Sequence, residues 1–179
     1  AGHSSTARFV SRKLAVRFVS DQPPQKLLDR LQRKFQSSHG DTRQMLEALV
    51  ESPEFWSREA IGAKIKSPFE LEASSLRILG AEVAPDQDIS SLLAEMGQEV
   101  YACRPPTGWP DKPETWLTPG TLVQRLSFAH RLADGNFRGL KLDLAKIRPT
   151  QPLKTAPAAV QAYAEKMLPG RAVSETVKL

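Results

Sequence analysis

The stretch PPQKLLDRLQRKFQS, residues 23–37, decides the fold class more than any other part of the chain. Proline suits the first turn of a helix, where a backbone N–H has no helical partner. The apolar residues that follow recur at the three- and four-residue spacing of one helical face: Leu27, Leu28, Leu31 and Phe35. We therefore expect an amphipathic helix over about residues 24–37, ended by His39-Gly40.

Helical spacing, caps and breakers predict further helices on both sides of this stretch. They run from Ser5 or Thr6 to Val19, from a cap at Asp41 to Val50, from Ser52 to Trp56, from Ser67-Pro68 to Gly80, and over 89–96, 121–134 and 158–168. No convincing alternating strand is present. The sequence thus predicts an all-α fold, an irregular bundle of about seven to nine helices with a long Pro/Trp-rich loop.

Three of these helices have apolar faces that predict how they pack. The faces are Val10, Leu14 and Phe18; then Met45, Leu46, Leu49 and Val50; then Leu122, Leu126, Ala129 and Ala133. The stripes over 27–31 and 45–50 are wide enough to need neighbours on two sides. We expect the chain to leave part of them uncovered, and to form a dimer or a large apolar groove there.

The loop over 97–120 is unusually long and contains five prolines with Tyr101, Trp109 and Trp116 among them. Proline reduces the entropy that the loop loses on folding, and a buried indole removes much apolar surface from water. We expect an ordered loop that packs Trp109 or Trp116 onto the helical body.

The charge distribution predicts the domain boundaries. Residues 1–50 and 137–179 each have five more Lys and Arg than Asp and Glu, and residues 51–136 have five fewer. We expect a helical domain over 1–135, an extended basic linker over 136–155, and one or more C-terminal helices, truncated, over 156–179. A nucleic-acid binder more often has one continuous basic face with interleaved aromatics, so solvated helix faces explain the basic flanks more simply.

Composition argues against several classes of site. Cys103 is the single cysteine, and the three histidines lack the spacing of metal ligands. No Gly-rich phosphate loop, no apolar run of membrane-spanning length and no export signal is present in these residues. We predict no metal site, no cofactor and no transmembrane segment.

Two clusters of charged residues, one at a helix start and one along the first helix, form the first set of candidate ligand-binding positions. Lys64 and Lys66 precede Ser67, whose helix start offers free N–H groups to an anion, although Ser67 and Glu70 also form a capping box. Arg12, Lys13 and Arg17 are the second cluster; Lys13 and Arg17 share a face and need an acid between them. Glu54 or Glu70 is the expected acid.

The loop supplies the remaining candidate ligand-binding residues, which are Gln98, Tyr101, Thr107 and Trp109. Aromatic side chains suit a sugar or a peptide, but the loop is equally suited to covering the core or to joining another part of the protein. Cys103 has Arg104 beside it and no histidine nearby in sequence, which argues against a nucleophile. No catalytic residue is assigned.

Several ordered motifs resemble the large bacterial family of domain of unknown function 1800. They are FVSRKLAVRFVSDQPP at 9–24, SPEF at 52–55, KIKSPFE at 64–70, MGQ at 96–98 and RPPTGWP at 104–110 with Trp116. The resemblance implies a longer, mostly helical and often exported protein, of which this chain is the C-terminal part. It implies as partners the missing N-terminal half, and a neighbour-encoded protein that resembles alkaline phosphatases and sulfatases.

The residues and the resemblance leave three functional classes open. The first is a non-catalytic binding or scaffold portion of an exported bacterial protein. The second is half of an enzyme active site for an anionic substrate, centred on Lys64 and Lys66. The third is binding of nucleic acid or another anionic polymer through the basic flanks, with nucleic acid the less favoured partner.

Overall fold

Helices dominate the computed structural model, which describes residues 3–85, 89–135, 137, 139–143, 145, 147–150 and 152–168. Within these residues the helices are α1 (Ser4–Phe18), α2 (Gln25–Ser37), α3 (Thr42–Val50), α4 (Pro68–Ile78), α5 (Ser90–Glu95), α6 (Pro113–Trp116), α7 (Pro119–Ala133) and α8 (Ala156–Met167). Strands β1 (Glu82–Val83) and β2 (Leu140–Lys141) pair antiparallel. The predicted all-α class is confirmed, and no described helix is long and apolar enough to cross a bilayer.

The chain divides into two compact units, which are described separately. Unit 1 comprises Ala1–Ser67 and Cys103–Pro119, and unit 2 comprises Pro68–Ala102 and Gly120–Leu179. The boundaries predicted at residues 135 and 155 stay predictions. The part of the predicted C-terminal helices beyond residue 168 lies outside the described residues.

The core of unit 1 forms where α1, α2 and α3 pack together. Its buried apolar residues are Ala7, Ala15, Val19, Leu27, Leu28, Leu31, Phe35, Met45 and Leu49. These contacts cover most of the stripes of α2 and α3, so the uncovered part is smaller than expected, and the dimer or groove expected there stays a prediction. Two neighbouring helices suffice to cover them, although Val50 at the end of α3 remains 43% exposed.

Helix α1 buries a different face from the predicted one. Ala7, Ser11 and Ala15, four residues apart, are fully buried. Val10 and Leu14 only pack against the edge of the core, and Phe18 stays exposed. Small side chains at a helix contact let the two helix axes approach closely, so packing selects the small face over the larger apolar one.

Two predicted helix starts differ from the structure because side chains close local turns instead. The His3 Nδ1 atom accepts the Ser5 N–H at 3.1 Å, so α1 is capped by His3. Ser52 donates to the Leu49 carbonyl at 2.6 Å, and its hydroxyl accepts the Phe55 N–H at 3.3 Å. These bonds give a turn where a short helix was predicted.

The cap predicted at Asp41 is confirmed. The Asp41 carboxylate accepts the backbone N–H of Gln44 at 3.1 Å at the start of α3. This backbone hydrogen bond lowers the pKa of Asp41 below its ordinary value. Asp41 therefore fixes the first turn of α3 as the sequence indicated.

The core of unit 2 is built from the end of α4, from α5, from the second half of α7 and from residues around β2. Its buried apolar residues are Leu79, Leu92, Leu93, Met96, Phe128 and Leu132. The face predicted for α7 is wrong: Phe128 and Leu132 are buried, whereas Leu122 and Leu126 are 44% and 72% exposed. Helix α7 has two apolar faces, and the face that contains Phe128 is the one packed into the core.

Ser11 gives a stability test of the α1 packing. Its hydroxyl is fully buried and has no hydrogen-bond partner. An unsatisfied buried hydroxyl costs about 1 kcal/mol or more, so Ser11→Ala should raise the free energy of unfolding by about 1 kcal/mol. Ser11→Leu overfills the same contact and should lower it by about 2 kcal/mol. Urea unfolding measures both, and a stable leucine variant would show that the helices do not approach closely here.

Candidate functional site

Lys64 ties the proline-rich loop of unit 1 to the end of α1. Its Nζ atom donates to the carboxylate of Asp21, just after α1, and to the backbone carbonyl of Asp111 in the loop at 3.0 Å. Arg17 lies 3.5 Å from the Asp111 carboxylate. The Lys64 and Asp21 side chains are only 22% and 27% exposed, so water screens this ion pair less than a surface pair. These contacts hold the loop against α1.

Trp116 stabilises the same loop through contacts with other residues of the loop. Its ring is 3% exposed, and its Nε1 atom donates to the Pro110 carbonyl at 3.1 Å. Trp109 lies beside it, with 6.1 Å between the ring centroids. Of the two indoles predicted to pack onto the helical body, Trp116 is buried, and its hydrogen bond and ring contact lie within the loop.

A groove runs along the outward face of α1, beside the tied loop. Its volume is about 550 Å³. We call it the α1 groove, and its lining residues are Phe9, Arg12, Lys13, Val16, Asp21, Gln22, Pro110, Asp111, Lys112 and Glu114. Open clefts of this size accommodate a short peptide segment or a small molecule.

The groove carries more available positive than negative charge. Asp21 and Asp111 are already paired with Lys64 and Arg17. Among the described residues, Arg12 and Lys112 form no ion pair, and Glu114 is the one lining acid without a pairing partner. The ammonium of Lys13 lies 5.9 Å from the centroid of the Phe9 ring, in the range of a cation–π contact.

The structure brings together only part of the predicted ligand-binding set. Arg12 and Lys13 line the α1 groove. Lys64 does not line it, but its Nζ atom bonds to two residues that do, Asp21 and Asp111. Trp109 belongs to the loop that contributes residues 110–112 and 114 to the lining, but it does not line the groove itself. Thr107 is exposed in that loop, and Lys66, which has a polar partner, is exposed too; neither lines the groove.

Of the two acids predicted beside the basic residues of α1, Glu54 is engaged elsewhere, and the role of Glu70 stays a prediction. Arg17 pairs with Asp111, whereas Glu54 pairs with Arg30 of α2 at 3.2 Å. Asp111 is far from α1 in sequence, so helical spacing alone gave no indication of it.

Three predicted residues belong to unit 2 and do not line the α1 groove. The Gln98 side-chain oxygen accepts the backbone N–H of Phe69 at 2.9 Å, which satisfies a donor in the first turn of α4. Glu70 has a polar partner. Tyr101 is fully exposed, with a positive φ of 61° that non-glycine residues seldom adopt.

Sequence reasoning missed Phe9, Val16, Lys112 and Glu114 as groove residues. A signal was present on α1, since Phe9, Arg12, Lys13 and Val16 recur at the spacing of one helical face. The apolar repeat of Val10 and Leu14 on the same helix led instead to the prediction of a different face. Lys112 and Glu114 had no such signal, because only the tertiary position of the loop places them opposite α1.

Glu72 on α4 is the buried carboxyl of unit 2. Its side chain is 4% exposed, and one carboxyl oxygen has no hydrogen-bond partner. Burial raises the pKa of Glu72 to about 7, because the charged form loses its hydration. Glu72 thus changes charge near neutral pH within the packed part of unit 2.

The chain belongs to the family described as Protein of unknown function (DUF1800), whose model matches residues 1–178. No curated protein matches the chain, and no solved structure does. The match spans both units and confirms the family that the motifs indicated. The placement in the C-terminal part of a longer member stays a prediction, and the family description carries no activity.

The tie at Lys64 is tested by a double-mutant cycle with Asp21. Lys64→Met keeps the length of the side chain and removes its charge, so we expect the free energy of unfolding to fall by about 1–2 kcal/mol. Asp21→Asn should have a similar effect, with a coupling of about 1 kcal/mol between the two changes. Denaturant unfolding measures all four proteins.

Lys26→Met is the matched control for this cycle, because Lys26 is an exposed lysine of unit 1. It should change stability by less than about 0.5 kcal/mol. If the effects of the Lys64 and Asp21 changes on the free energy of unfolding are additive, the two side chains do not interact and the ion pair is contradicted.

The buried Glu72 gives a pH test. Burial raises the pKa of Glu72 in the folded state to about 7 from its ordinary value of 4.5, so the folded protein binds this proton more tightly than the unfolded chain. Stability should therefore fall as the pH rises from about 4.5 to about 7, by up to about 3 kcal/mol. Glu72→Gln should remove this loss and exceed the wild type in stability above about pH 7.

Glu99→Gln is the control, since Glu99 is an exposed glutamate of the same unit. This variant should retain the loss of stability between about pH 4.5 and about pH 7 that Glu72 causes. A Glu72→Gln profile parallel to that of the wild type would mean that Glu72 titrates as a solvated carboxyl.

Proposed function

We propose that this chain is a non-catalytic binding module, and that the α1 groove binds an acidic peptide segment carrying an apolar side chain. The observation that carries the proposal is the set of available cations, Arg12, Lys13 and Lys112, beside the exposed ring of Phe9.

The charges of the groove favour an acidic ligand. Asp21 and Asp111 have their partners within the protein, so they contribute little net repulsion to an incoming carboxylate. Arg12 can bind a carboxylate through two parallel N–H donors. The surplus of positive charge also accelerates the encounter with an acidic segment.

The apolar part of the groove favours a ligand that is more than a simple anion. Phe9 is 63% exposed, with Val16 and Pro110 also in the lining. Covering the exposed part of a phenylalanine side chain contributes about 1–2 kcal/mol. An apolar side chain of the ligand placed between its acidic residues would provide that cover.

The alternatives receive less support from this geometry. The lining contains no Ser, Thr, Cys or His, and two of its three carboxylates are held in ion pairs, so no activated nucleophile with its base is assembled there. Lys64, the centre of the alternative enzyme site, is engaged by Asp21. The three cations of the lining lie beside apolar side chains and do not form the continuous basic face that is typical of a nucleic-acid binder.

The wider setting of the proposal comes from the family. We propose that the module is part of a larger exported bacterial protein, as its relatives are expected to be. The phosphatase- or sulfatase-like neighbour protein is one source of an acidic segment. The N-terminal half of the same protein is another.

Peptide binding to the full chain tests the proposal. The probe is a fluorescein-labelled peptide of glutamates around one central phenylalanine, measured by fluorescence anisotropy. Arg12→Glu and Lys13→Glu should each weaken binding about tenfold or more, equivalent to about 1.4 kcal/mol. Phe9→Ala should weaken it about fivefold, and added salt should weaken binding to the wild type.

Arg8→Glu is the matched control, because Arg8 lies exposed on α1 outside the groove lining. Its effect should be less than about twofold. Equal losses for Arg8→Glu and Arg12→Glu would indicate an unspecific charge effect and contradict the site. No binding of this peptide, or tighter binding of an oligonucleotide through the same residues, would also overturn the proposal.

A further inference from the structure

Helix α7 has a second apolar face that the described part of unit 2 leaves uncovered. Phe128 and Leu132 point into the core, but Leu122, Val123 and Leu126 are 44%, 60% and 72% exposed. Ala129 and Ala133 are exposed as well. This face is independent of the α1 groove, which belongs to unit 1.

The exposed residues form a seam. Leu122, Leu126, Ala129 and Ala133 are spaced by four, three and four residues, which places them in one line along the helix and matches the pattern of a coiled-coil contact. The seam contains no charged side chain. A helix that presents such a seam to water is suited to a second helix lying alongside it.

The order of sizes along the seam identifies the second helix. The two leucines lie toward the start of α7 and the two alanines toward its end. In an antiparallel pair of identical helices, Leu122 of one copy meets Ala133 of the other, and Leu126 meets Ala129. Each large side chain then faces a small one, which allows dense packing without overlap.

A parallel pair would place leucine on leucine and alanine on alanine, leaving a gap at one end. The antiparallel pair has the two-fold symmetry typical of homodimers, in which the same patch on both copies forms the contact. We propose that α7 is a homodimerisation surface, and that its occupant is α7 of a second copy of this chain.

The size of the contact sets the expected affinity. Two helices of this length in side-by-side contact bury on the order of 1,000 Å² in total, the lower limit for a specific interface. The dimer should therefore be weak, with a dissociation constant of about 1–100 µM. It should form reversibly as the protein concentration rises.

Sedimentation velocity of the full chain from about 1 µM to about 500 µM tests the surface. The wild type should shift from monomer to dimer, and Leu126→Glu should weaken dimerisation at least tenfold. Val160→Glu, at another exposed apolar position of unit 2, should not. Circular dichroism checks that each variant keeps its helix content.

Two further variants test the antiparallel arrangement. Ala129→Leu alone places leucine against Leu126 and should weaken the dimer. Adding Leu126→Ala to that change restores one large and one small residue at each contact, and should return the dissociation constant to within about threefold of the wild type. A wild type that stays monomeric at the highest concentration, or a dimer that Leu126→Glu leaves unchanged, would overturn the proposal. A tighter dimer with Ala129→Leu alone would overturn the antiparallel pairing.

Discussion

The bonds of Lys64 to Asp21 and to the Asp111 carbonyl are the interaction on which the architecture of unit 1 depends. Three segments distant in sequence meet at this one ammonium group. Because the pair is partly shielded from water, its attraction is stronger than that of a surface ion pair. Arg17 adds a second ion pair between α1 and the wall formed by residues 110–114.

The packing of α1 decides which of its residues are available for binding. The helix turns Ala7, Ser11 and Ala15 inward, so Phe9, Arg12 and Lys13 are left facing the groove. Had the larger apolar face been buried instead, the helix would be rotated and these side chains would lie elsewhere. The identity of the buried face of α1 therefore determines both how the core packs and which side chains are available in the groove.

The sequence predicted the helical fold and part of the site, for reasons that the structure makes clear. The leucines of α2 recur regularly and have no competing apolar face, so their burial was predictable. On α1 and α7, two apolar faces compete, and periodicity alone does not say which one the rest of the chain covers. Arg12 and Lys13 were found from their charge, whereas Asp21, Asp111 and Lys112 acquire their roles only through tertiary contacts.

The central claim, that the α1 groove is the binding site, is tested most directly by mapping backbone amide chemical shifts while the acidic peptide is added. The account predicts that the shifted amides cluster on the outward face of α1, around residues 9–16, and in the loop over 110–114. Shifts confined to unit 2, or to the cleft between α2 and α3 lined by Arg33 and Gln44, would contradict it.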